Sequence, residues 1–246
     1  GTKPPVSFFA YPDKKSFLSP DEAELFELCS VEENGYEALA LLSELSGSPK
    51  IANELIRPHI SDVPTSGDLD VTTLGPLIAD IMPEESIVSD ESATSSLIVT
   101  PHALQAKPHD WLALTGGSIG QGLPLAIGAS IAKPDRPVIT LHGDGGAMYT
   151  VQALWTQARE NLNITNIIFS NRSYEILKIE LDRVQAVETG ERAASMFSMD
   201  NPPIDWVNLA ESMGVQGYKP KTVKEFKDVF SKSVNESGPS LIEIEI

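Results

Sequence analysis

The run Leu141-His142-Gly143-Asp144-Gly145-Gly146-Ala147 decides which fold this chain of 246 residues is expected to adopt. It follows the apolar, β-branched segment 137–141, which is typical of a buried parallel strand. The segment 148–159 after it has the composition of a helix. The glycine-rich run therefore lies where a strand passes into a helix. In a wound α/β sheet that position is the carboxyl edge, where ligands bind.

A second strand, predicted at 164–170, ends at Asn171, which follows Asp144 by 27 residues (171 − 144 = 27). A carboxylate, an amide oxygen, a backbone carbonyl and phosphate oxygens form the all-oxygen shell that Mg²⁺ prefers. The glycines of the run let a ligand approach the backbone, and N–H groups at a helix start favour an anion. The two strand ends together predict a site for a metal diphosphate. Taken alone, the Gly-Asp-Gly segment also fits a strand-to-helix turn with an N-capping Asp.

Several separated blocks resemble the enzymes that depend on thiamine diphosphate (ThDP) and Mg²⁺. Gly143-Asp144-Gly145 is followed, about two dozen residues later, by Ser170-Asn171. The other similar blocks are LTGGSIGQGLPLAIGASIA, GDGGAMYTVQALWTQARENL, SNRSYEIL and GPSLIEIEI. The similarity covers roughly 65–246, and it is greatest to the C-terminal, diphosphate-binding domain of the acetolactate synthase and benzoylformate decarboxylase group.

The resemblance implies a role for each matching residue. Asp144 and Asn171 would be the side-chain ligands of Mg²⁺, and Ser173 would add its backbone carbonyl. Gly117 and Ile119 are the implied catalytic positions: the Gly117 carbonyl would accept a bond from the 4′-amino group of the pyrimidine ring, and Ile119 would wedge between the two rings. The full set of implied cofactor contacts is Ser92, Ala93, Thr94, Gly117, Ser118, Ile119, Gly143, Asp144, Gly145, Gly146, Asn171, Ser173, Tyr174, Glu175 and Ile176.

Some of these residues also fit simpler explanations. Residues 92–94 fit a plain helix N-cap, and Ile119 fits a core aliphatic. The backbone N–H groups at 145, 146, 174 and 175 are expected to hold diphosphate oxygens, although the Glu175 carboxylate would disfavour an anion unless it points away. Gly146 stands where relatives often have Ser, and Ser170 where many have Asn. His142 is expected to be a strand-end residue that faces solvent or the core.

Composition sets limits on the possible functions. A net charge of −17 argues against nucleic-acid binding, because a phosphate backbone would be repelled. No apolar run is long enough for a membrane span, and no targeting segment is visible. The single cysteine, Cys29, excludes an internal disulfide and favours a reducing compartment, so we expect the cytoplasm or an organelle matrix. The chain starts at Gly1 within a strand-like run, and we expect it to be a fragment or an expressed piece.

The order of strands and helices predicts an α/β fold: a doubly wound, mostly parallel sheet with helices on both faces. The resemblance implies that residues 1–12 are the last strand of a middle domain, and the alternative is the first strand of a self-contained fold. We expect 13–64 to be a helical linker and 65–246 the ThDP diphosphate-binding domain. Linker helices are predicted from Ser19, at 36–45 and near 48–56. In the last domain we predict helices capped by Asp70, Asp205 and Thr222, strands at 87–89, 111–114, 138–141, 164–169 and about 215–218, and a final strand at 241–246 with one wetter face.

The implied activity is that of an acetolactate synthase-like 2-oxo acid carboligase or decarboxylase, a homo-oligomer with ThDP and Mg²⁺. The family also needs a glutamate from a pyrimidine-binding domain, in another subunit or an N-terminal part, so we expect this chain alone to be inactive. FAD dependence stays open. The alternatives are a benzoylformate decarboxylase-like enzyme, which Ala10 weakens because that enzyme has an active-site His nearby, and a non-catalytic Mg²⁺-diphosphate module. The spacing G-G-x-x-G-x-G at 116–122 disfavours a Rossmann-type nucleotide enzyme.

Overall fold

The structure, a computed structural model, describes residues 5–7, 10–48, 62–103, 105–186 and 190–246. The chain divides into two compact units, one made of 1–56 with 180–187 and the other of 57–179 with 188–246. The second unit contains the whole sheet. In the described part of the chain no helix combines the length and the apolar character needed to cross a bilayer. The domain limits at 12 and 64 stay predictions.

The sheet consists of six parallel strands in the order β2-β1-β3-β4-β6-β5. The strands are β1 (Ile87–Glu91), β2 (Asp110–Ala113), β3 (Val138–Gly143), β4 (Ile164–Ser170), β5 (Gln216–Tyr218) and β6 (Ser240–Glu245). The chain moves outward from β1 to β2 and then crosses back to β3, so the winding reverses between β1 and β3. Such a switch point leaves a crevice at the carboxyl ends of the strands.

Helices of the second unit cover both faces of the sheet. In chain order the helices of the described residues, with α1 in the first unit, are α1 (Gly35–Leu45), α2 (Val71–Ile81), α3 (Ser96–Ala103), α4 (Gly122–Ala132), α5 (Asp144–Ala147), α6 (Ala153–Arg159), α7 (Glu175–Arg183), α8 (Glu191–Ser195), α9 (Trp206–Ser212) and α10 (Val223–Asn235). Ile167 packs with residues of α2 and α10 in one buried cluster, and Ile168 packs with residues of α4, α6 and α9 in another. Successive residues of a strand point to opposite faces, so the doubly wound α/β prediction is confirmed.

The predicted helix caps are present. Asp70 accepts the N–H groups of Thr72 and Thr73, and Asp205 accepts that of Asn208 at 3.0 Å. Thr222 accepts the Glu225 N–H, and the Glu225 carboxylate accepts the Thr222 N–H in return. Each cap satisfies backbone donors that have no partner inside the helix. These short-range signals correctly predict the starts of three helices from the sequence alone.

The predictions for the first unit were partly wrong. The predicted helix at 36–45 is present as α1, but the segment from Ser19 to Ser30 is described without a helix. Its apolar residues stay exposed, Phe26 by 85%, and an amphipathic helix without a packing partner is marginal in water. Among the described residues of the predicted first strand, 5–7 and 10–12, the structure shows one bridge, from Val6 to Phe17. The helix predicted near 48–56 lies almost entirely outside the described residues.

Two predictions for the second unit need correction. The helix predicted at 148–159 is shorter in the structure, where it forms only as α6 from Ala153, and in the preceding turn Thr150 donates its hydroxyl to the Gly120 carbonyl at 2.8 Å. The wetter face predicted for the last strand is present only at its end, where Glu245 is exposed. Glu243, on the same face, is 1% exposed, since helices cover both faces of the sheet, and the Lys219 ammonium lies 3.1 Å from its carboxylate.

Candidate functional site

Most of the predicted cofactor residues collect at the carboxyl ends of β1, β3 and β4, beside the switch point of the sheet. A cavity of about 50 Å³ lies there. It has room for a few water-sized groups, which suits a cation or phosphate oxygens rather than a whole coenzyme. Twelve of the predicted residues line it together with Ser95 and Phe169: Ser92, Ala93, Thr94, Gly143, Asp144, Gly145, Gly146, Asn171, Ser173, Tyr174, Glu175 and Ile176.

Asp144 is buried at the start of α5 and joins two strand ends. Its Oδ1 accepts the Gly145 N–H at 2.8 Å, and its Oδ2 accepts the Arg172 N–H at 2.7 Å. Burial raises the pKa of this carboxyl above its usual range, while the N–H groups of Arg172 and Gly145 act in the opposite direction. Each carboxylate oxygen has a second lone pair, so the hydrogen bonds leave the Asp144 oxygens able to bind a cation.

Asn171 stands in a tight turn directly after β4. Its Oδ1 accepts the Ser173 N–H at 2.9 Å, which is the geometry of an Asx turn. Arg172, between them, has φ +52°, in the left-handed region that costs free energy for a residue other than glycine. The turn brings the Asn171 side chain and Ser173 to the cavity that Asp144 also lines.

The segment after Asn171 is held from outside by residues 197–199. The Tyr174 N–H donates to the Phe197 carbonyl at 2.9 Å, and the Met199 N–H donates to the Arg172 carbonyl at 2.8 Å. The N–H of Tyr174, predicted to hold a diphosphate oxygen, is therefore engaged with protein in this structure. Its ring lies against Gly145, where a Cβ would come within 2.6 Å of Tyr174 Cε1.

The Glu175 carboxylate is compensated by two neighbours. Its Oε2 lies 3.2 Å from the Ser173 hydroxyl and 3.1 Å from the Lys178 ammonium. Lys178 is about half exposed, so this pair contributes little to stability. It does reduce the negative charge that Glu175 presents to an anion at the cavity.

Gly117, Ser118 and Ile119 belong to the loop before α4 and do not line the cavity. Gly117 has φ +69°, a conformation that favours glycine. Ile119 is 51% exposed, so the alternative that it is a core aliphatic is wrong. An exposed isoleucine on a loop is available for contact with a ligand, as the resemblance implies.

Sequence reasoning missed the role of two residues beneath the cavity. His142 is fully buried, which excludes the solvent-facing alternative, and its Nε2 lies 3.1 Å from Oε2 of Glu91. The two residues are register partners on β1 and β3. Burial raises the pKa of Glu91, but contact with His142 and bonds from two backbone N–H groups outweigh it and leave the pKa lowered. The only signal in the sequence was a polar residue at each strand end.

The donor set at the cavity fits a hard cation. Among the described residues no group of three or more His, Cys, Asp and Glu side chains could hold a metal ion. The Asp144 carboxylate, the Asn171 amide oxygen and backbone carbonyls at the cavity could hold a cation, with phosphate oxygens completing the shell, while the Glu175 carboxylate, which also lines the cavity, is engaged by Ser173 and Lys178. Such a set suits Mg²⁺, which accepts few protein carboxylates when a diphosphate supplies the rest.

Comparison with known proteins decides the family. The family described as "Thiamine pyrophosphate enzyme, C-terminal TPP binding domain" matches residues 93–244, more than half of the chain. The chain belongs to this family. Thiamine pyrophosphate is another name for ThDP, so the expectation of a ThDP-binding domain is confirmed.

Individual relatives agree with that assignment. A Mycobacterium tuberculosis protein named as a candidate acetolactate synthase large subunit is 42% identical over 99% of this chain and 47% of its own length. The benzoylformate decarboxylase of Pseudomonas aeruginosa is 25% identical over 83% of this chain and 40% of its own. The solved ThDP-dependent 4-hydroxybenzoylformate decarboxylase of Rhodococcus jostii superposes with a TM-score of 0.69 at 28% identity, covering 85% of this chain and 38% of that one. The chain thus spans less than half the length of these relatives.

Proposed function

We propose that this chain supplies the diphosphate- and Mg²⁺-binding half of a ThDP-dependent 2-oxo acid carboligase or decarboxylase of the acetolactate synthase type. The observation that carries the proposal is that Asp144, Asn171 and Ser173, from two adjacent strand ends, line one cavity. The 42% identity to the mycobacterial protein named as a candidate acetolactate synthase large subunit supports the choice of reaction class.

Each residue has an assigned role in this proposal. The Asp144 carboxylate, the Asn171 amide oxygen and the Ser173 carbonyl hold Mg²⁺. Backbone N–H groups at 146 and 175 are assigned to the diphosphate, because those of Gly145 and Tyr174 donate to Asp144 and Phe197. Gly117 with Ile119 orients the two rings. When bound, ThDP supplies the electron sink that allows a 2-oxo acid to lose carbon dioxide. The protein contributes orientation, and a cation beside Asp144 offsets the cost of burying that charge.

The proposed site is incomplete within this chain. A pyrimidine-binding domain, from another subunit or an N-terminal part, supplies the glutamate that contacts the pyrimidine ring, and the active form is a homo-oligomer. The chain alone then binds ThDP with Mg²⁺ but does not turn over a 2-oxo acid.

A second candidate is a decarboxylase of aryl 2-oxo acids, favoured by the superposition on the 4-hydroxybenzoylformate decarboxylase. The two candidates share the Mg²⁺-diphosphate site and differ in substrate. Pyruvate consumption with formation of a carbon–carbon bond supports the first. Release of an aryl aldehyde from benzoylformate supports the second, and ThDP binding without either reaction indicates a non-catalytic module.

Isothermal titration calorimetry tests the shared site. ThDP and Mg²⁺ are titrated together and separately into the wild type, Asp144→Ala and Asp228→Ala, the last removing a carboxylate on the exposed side of α10. We expect Mg²⁺-dependent ThDP binding by the wild type and Asp228→Ala and its loss in Asp144→Ala. Equal binding by all three proteins would show that Asp144 is not a ligand. Activity is then assayed after a pyrimidine-binding domain of a relative is added.

A further inference from the structure

The Glu91 carboxylate is hydrogen-bonded to the backbone of the loop that leads into α4. Its Oε1 accepts the Gly120 N–H at 2.5 Å, and its Oε2 accepts the Gly122 N–H at 2.6 Å. Two hydroxyls hold the carbonyls of the same glycines: Ser89 donates to Gly122 O at 2.9 Å and Thr150 donates to Gly120 O at 2.8 Å. Both backbone groups of each glycine are thus bound by side chains from β1 and from the segment between α5 and α6.

His142 lies between that loop and the turn after β3. Its Nε2 is 3.1 Å from Glu91 Oε2. A Cβ at Gly122 would come within 2.7 Å of His142 Cδ2, and a Cβ at Gly146 would lie 3.1 Å from His142 Cε1 and 3.0 Å from Glu91 Oε1. The imidazole and the carboxylate therefore fill the space between the two glycines, and a side chain at 122 would have to displace the imidazole.

This arrangement connects two regions with different proposed contacts. The loop 115–122 carries Gly117 and Ile119, which we assign to the rings of the coenzyme, whereas the turn 143–146 belongs to the diphosphate end. Glu91 does not itself line the cavity, and it is 5% exposed. Because it does not line the cavity, we assign its influence on a bound coenzyme to the backbone that it holds. A buried carboxylate with two N–H donors is a stiff link, because charge-assisted hydrogen bonds are short and strong.

We propose that Glu91 is a positioning residue that, with His142, fixes the loop 115–122 against the turn 143–146 and so sets the spacing between the ring contacts and the diphosphate contacts. This inference rests on the proposed function of the site. It concerns the loop's backbone, however, and it can be measured in the protein without any coenzyme. Glu91 acts on the loop through its hydrogen bonds from the N–H groups of Gly120 and Gly122.

The variant Glu91→Gln tests the link with little change in shape. Glutamine offers one acceptor oxygen where the carboxylate offers two, so one of the two glycine N–H groups loses its partner. Glu243→Gln is the matched control. It also neutralises a carboxylate that is 1% exposed, but on β6, where its partner is Lys219 and not the loop. Glu91→Asp, whose carboxylate sits on a stem one methylene shorter, serves if Glu91→Gln does not fold.

Two measurements are compared across these proteins, and neither needs turnover. Amide hydrogen exchange followed by mass spectrometry reports on peptides covering 115–122, and calorimetry reports the affinity for ThDP in the presence of Mg²⁺. For Glu91→Gln we expect faster exchange of the loop amides and a roughly tenfold rise in the dissociation constant for ThDP with Mg²⁺, the lower end of what loss of an outer-shell residue costs in metal affinity. Glu243→Gln should leave both at the wild-type value.

The outcomes separate this inference from the proposed function. Unchanged loop exchange in Glu91→Gln, or an equal rise in Glu243→Gln, overturns the positioning role even if ThDP still binds. Faster loop exchange with an unchanged ThDP affinity overturns the link to the coenzyme. If the wild type binds no ThDP, the proposed function fails and the coenzyme part of this inference fails with it. In that case, faster exchange of the loop amides in Glu91→Gln alone would still support the proposal that Glu91 fixes the loop.

Discussion

Asp144 Oδ2 accepts the backbone N–H of Arg172 at 2.7 Å, a hydrogen bond that ties the end of β3 to the turn after β4. The same carboxylate is our proposed cation ligand. Asp144 therefore has a structural role, through its two N–H partners, and a proposed electrostatic role, through its charge. The two roles predict different effects for different substitutions at this position.

We expect Asp144→Asn to lose most of its Mg²⁺-dependent ThDP affinity while keeping one acceptor for the backbone. Asp144→Ala should lose that affinity too and, in addition, about 1–3 kcal/mol of unfolding free energy, because buried N–H groups are left without an acceptor. Calorimetry and urea unfolding measure the two effects separately. An Asn variant that binds ThDP and Mg²⁺ as tightly as the wild type would exclude the charge of Asp144 from the site.

Gly145→Ala should destabilise the protein through the Tyr174 ring. The new Cβ would lie 2.6 Å from Tyr174 Cε1, so the ring must move, at a cost of about 1–3 kcal/mol for overpacking. Gly128→Ala in α4 is the control, because a Cβ there has no neighbour within 4 Å and alanine favours a helix by up to about 1 kcal/mol. Thermal or urea unfolding measures both variants.

A double-mutant cycle identifies the cause. If contact with the ring is responsible, Gly145→Ala should cost much less in a Tyr174→Ala background than in the wild type. The same cost in both backgrounds would show that the backbone at 145, rather than the Tyr174 ring, rejects the side chain.

Asn166 organises a buried polar network across the centre of the sheet. Its Oδ1 accepts from Thr140 at 3.0 Å and from Gln157 at 3.2 Å, and its Nδ2 donates to Gln157 Oε1 at 2.8 Å and to the Ser240 carbonyl at 2.9 Å. We expect Asn166→Ala to lower the unfolding free energy by about 3 kcal/mol or more, since several buried polar groups lose their partner.

Asn235→Ala provides the comparison for that network. Asn235 is exposed and donates one bond to the Ser231 carbonyl at the end of α10, so its loss should change the unfolding free energy by less than about 0.5 kcal/mol. Urea unfolding at neutral pH distinguishes the two variants. A loss in Asn166→Ala no larger than in Asn235→Ala would contradict the proposed importance of the network.

Lys219 lies between two carboxylates of β6 whose pKa values move in opposite directions. Burial raises the pKa of Glu243 above its ordinary value of 4.5, although Lys219 opposes the shift. The Lys219 ammonium lowers the pKa of the half-exposed Glu245 below the same value. Ionised Glu243 therefore costs stability at neutral pH, a cost relieved as the pH falls through its raised pKa. Glu245 contributes stability at neutral pH, and that contribution is lost as the pH falls below about 4.5 through its lowered pKa.

The variants Glu243→Gln and Glu245→Gln should reveal these opposite signs. As the pH is lowered from 7, the unfolding free energy of the wild type should improve relative to Glu243→Gln, starting above the ordinary glutamate range. Relative to Glu245→Gln, the unfolding free energy of the wild type should decline, and this decline should begin at a lower pH. Urea unfolding over a pH series measures both differences. If the unfolding free energies of the two variants had the same pH dependence, burial would not give the two carboxyl groups different pKa values.

The sequence predicted the features that depend on neighbours along the chain. The strand ends at Asp144 and Asn171 and the caps at Asp70, Asp205 and Thr222 follow from short patterns, and the structure has them. The shared cavity follows from two parallel strands that end at one edge. These elements needed no knowledge of distant contacts.

The predictions that failed all depend on contacts between residues far apart along the chain. The pairing of Glu91 with His142 depends on β1 lying beside β3, 51 residues along the chain (142 − 91 = 51), and nothing local predicts it. Glu243 was expected on a wetter face because the alternation within one strand cannot show that helices cover both faces of the sheet. The helix expected from Ser19 depended on a partner surface for its apolar stripe.

The register that sets Gly143 opposite Phe169 has a lasting consequence for the proposed cation ligands. Neighbouring strands of any sheet are separated by about 4.8 Å. The distance between the proposed ligands at the ends of β3 and β4 is therefore set by main-chain pairing and not by the lengths of surface loops. Helices α6 and α9 could accumulate many changes, or the outer loops grow and shrink, without altering that gap. Descendants of this chain could thus drift far in composition and still present the same pair of oxygens.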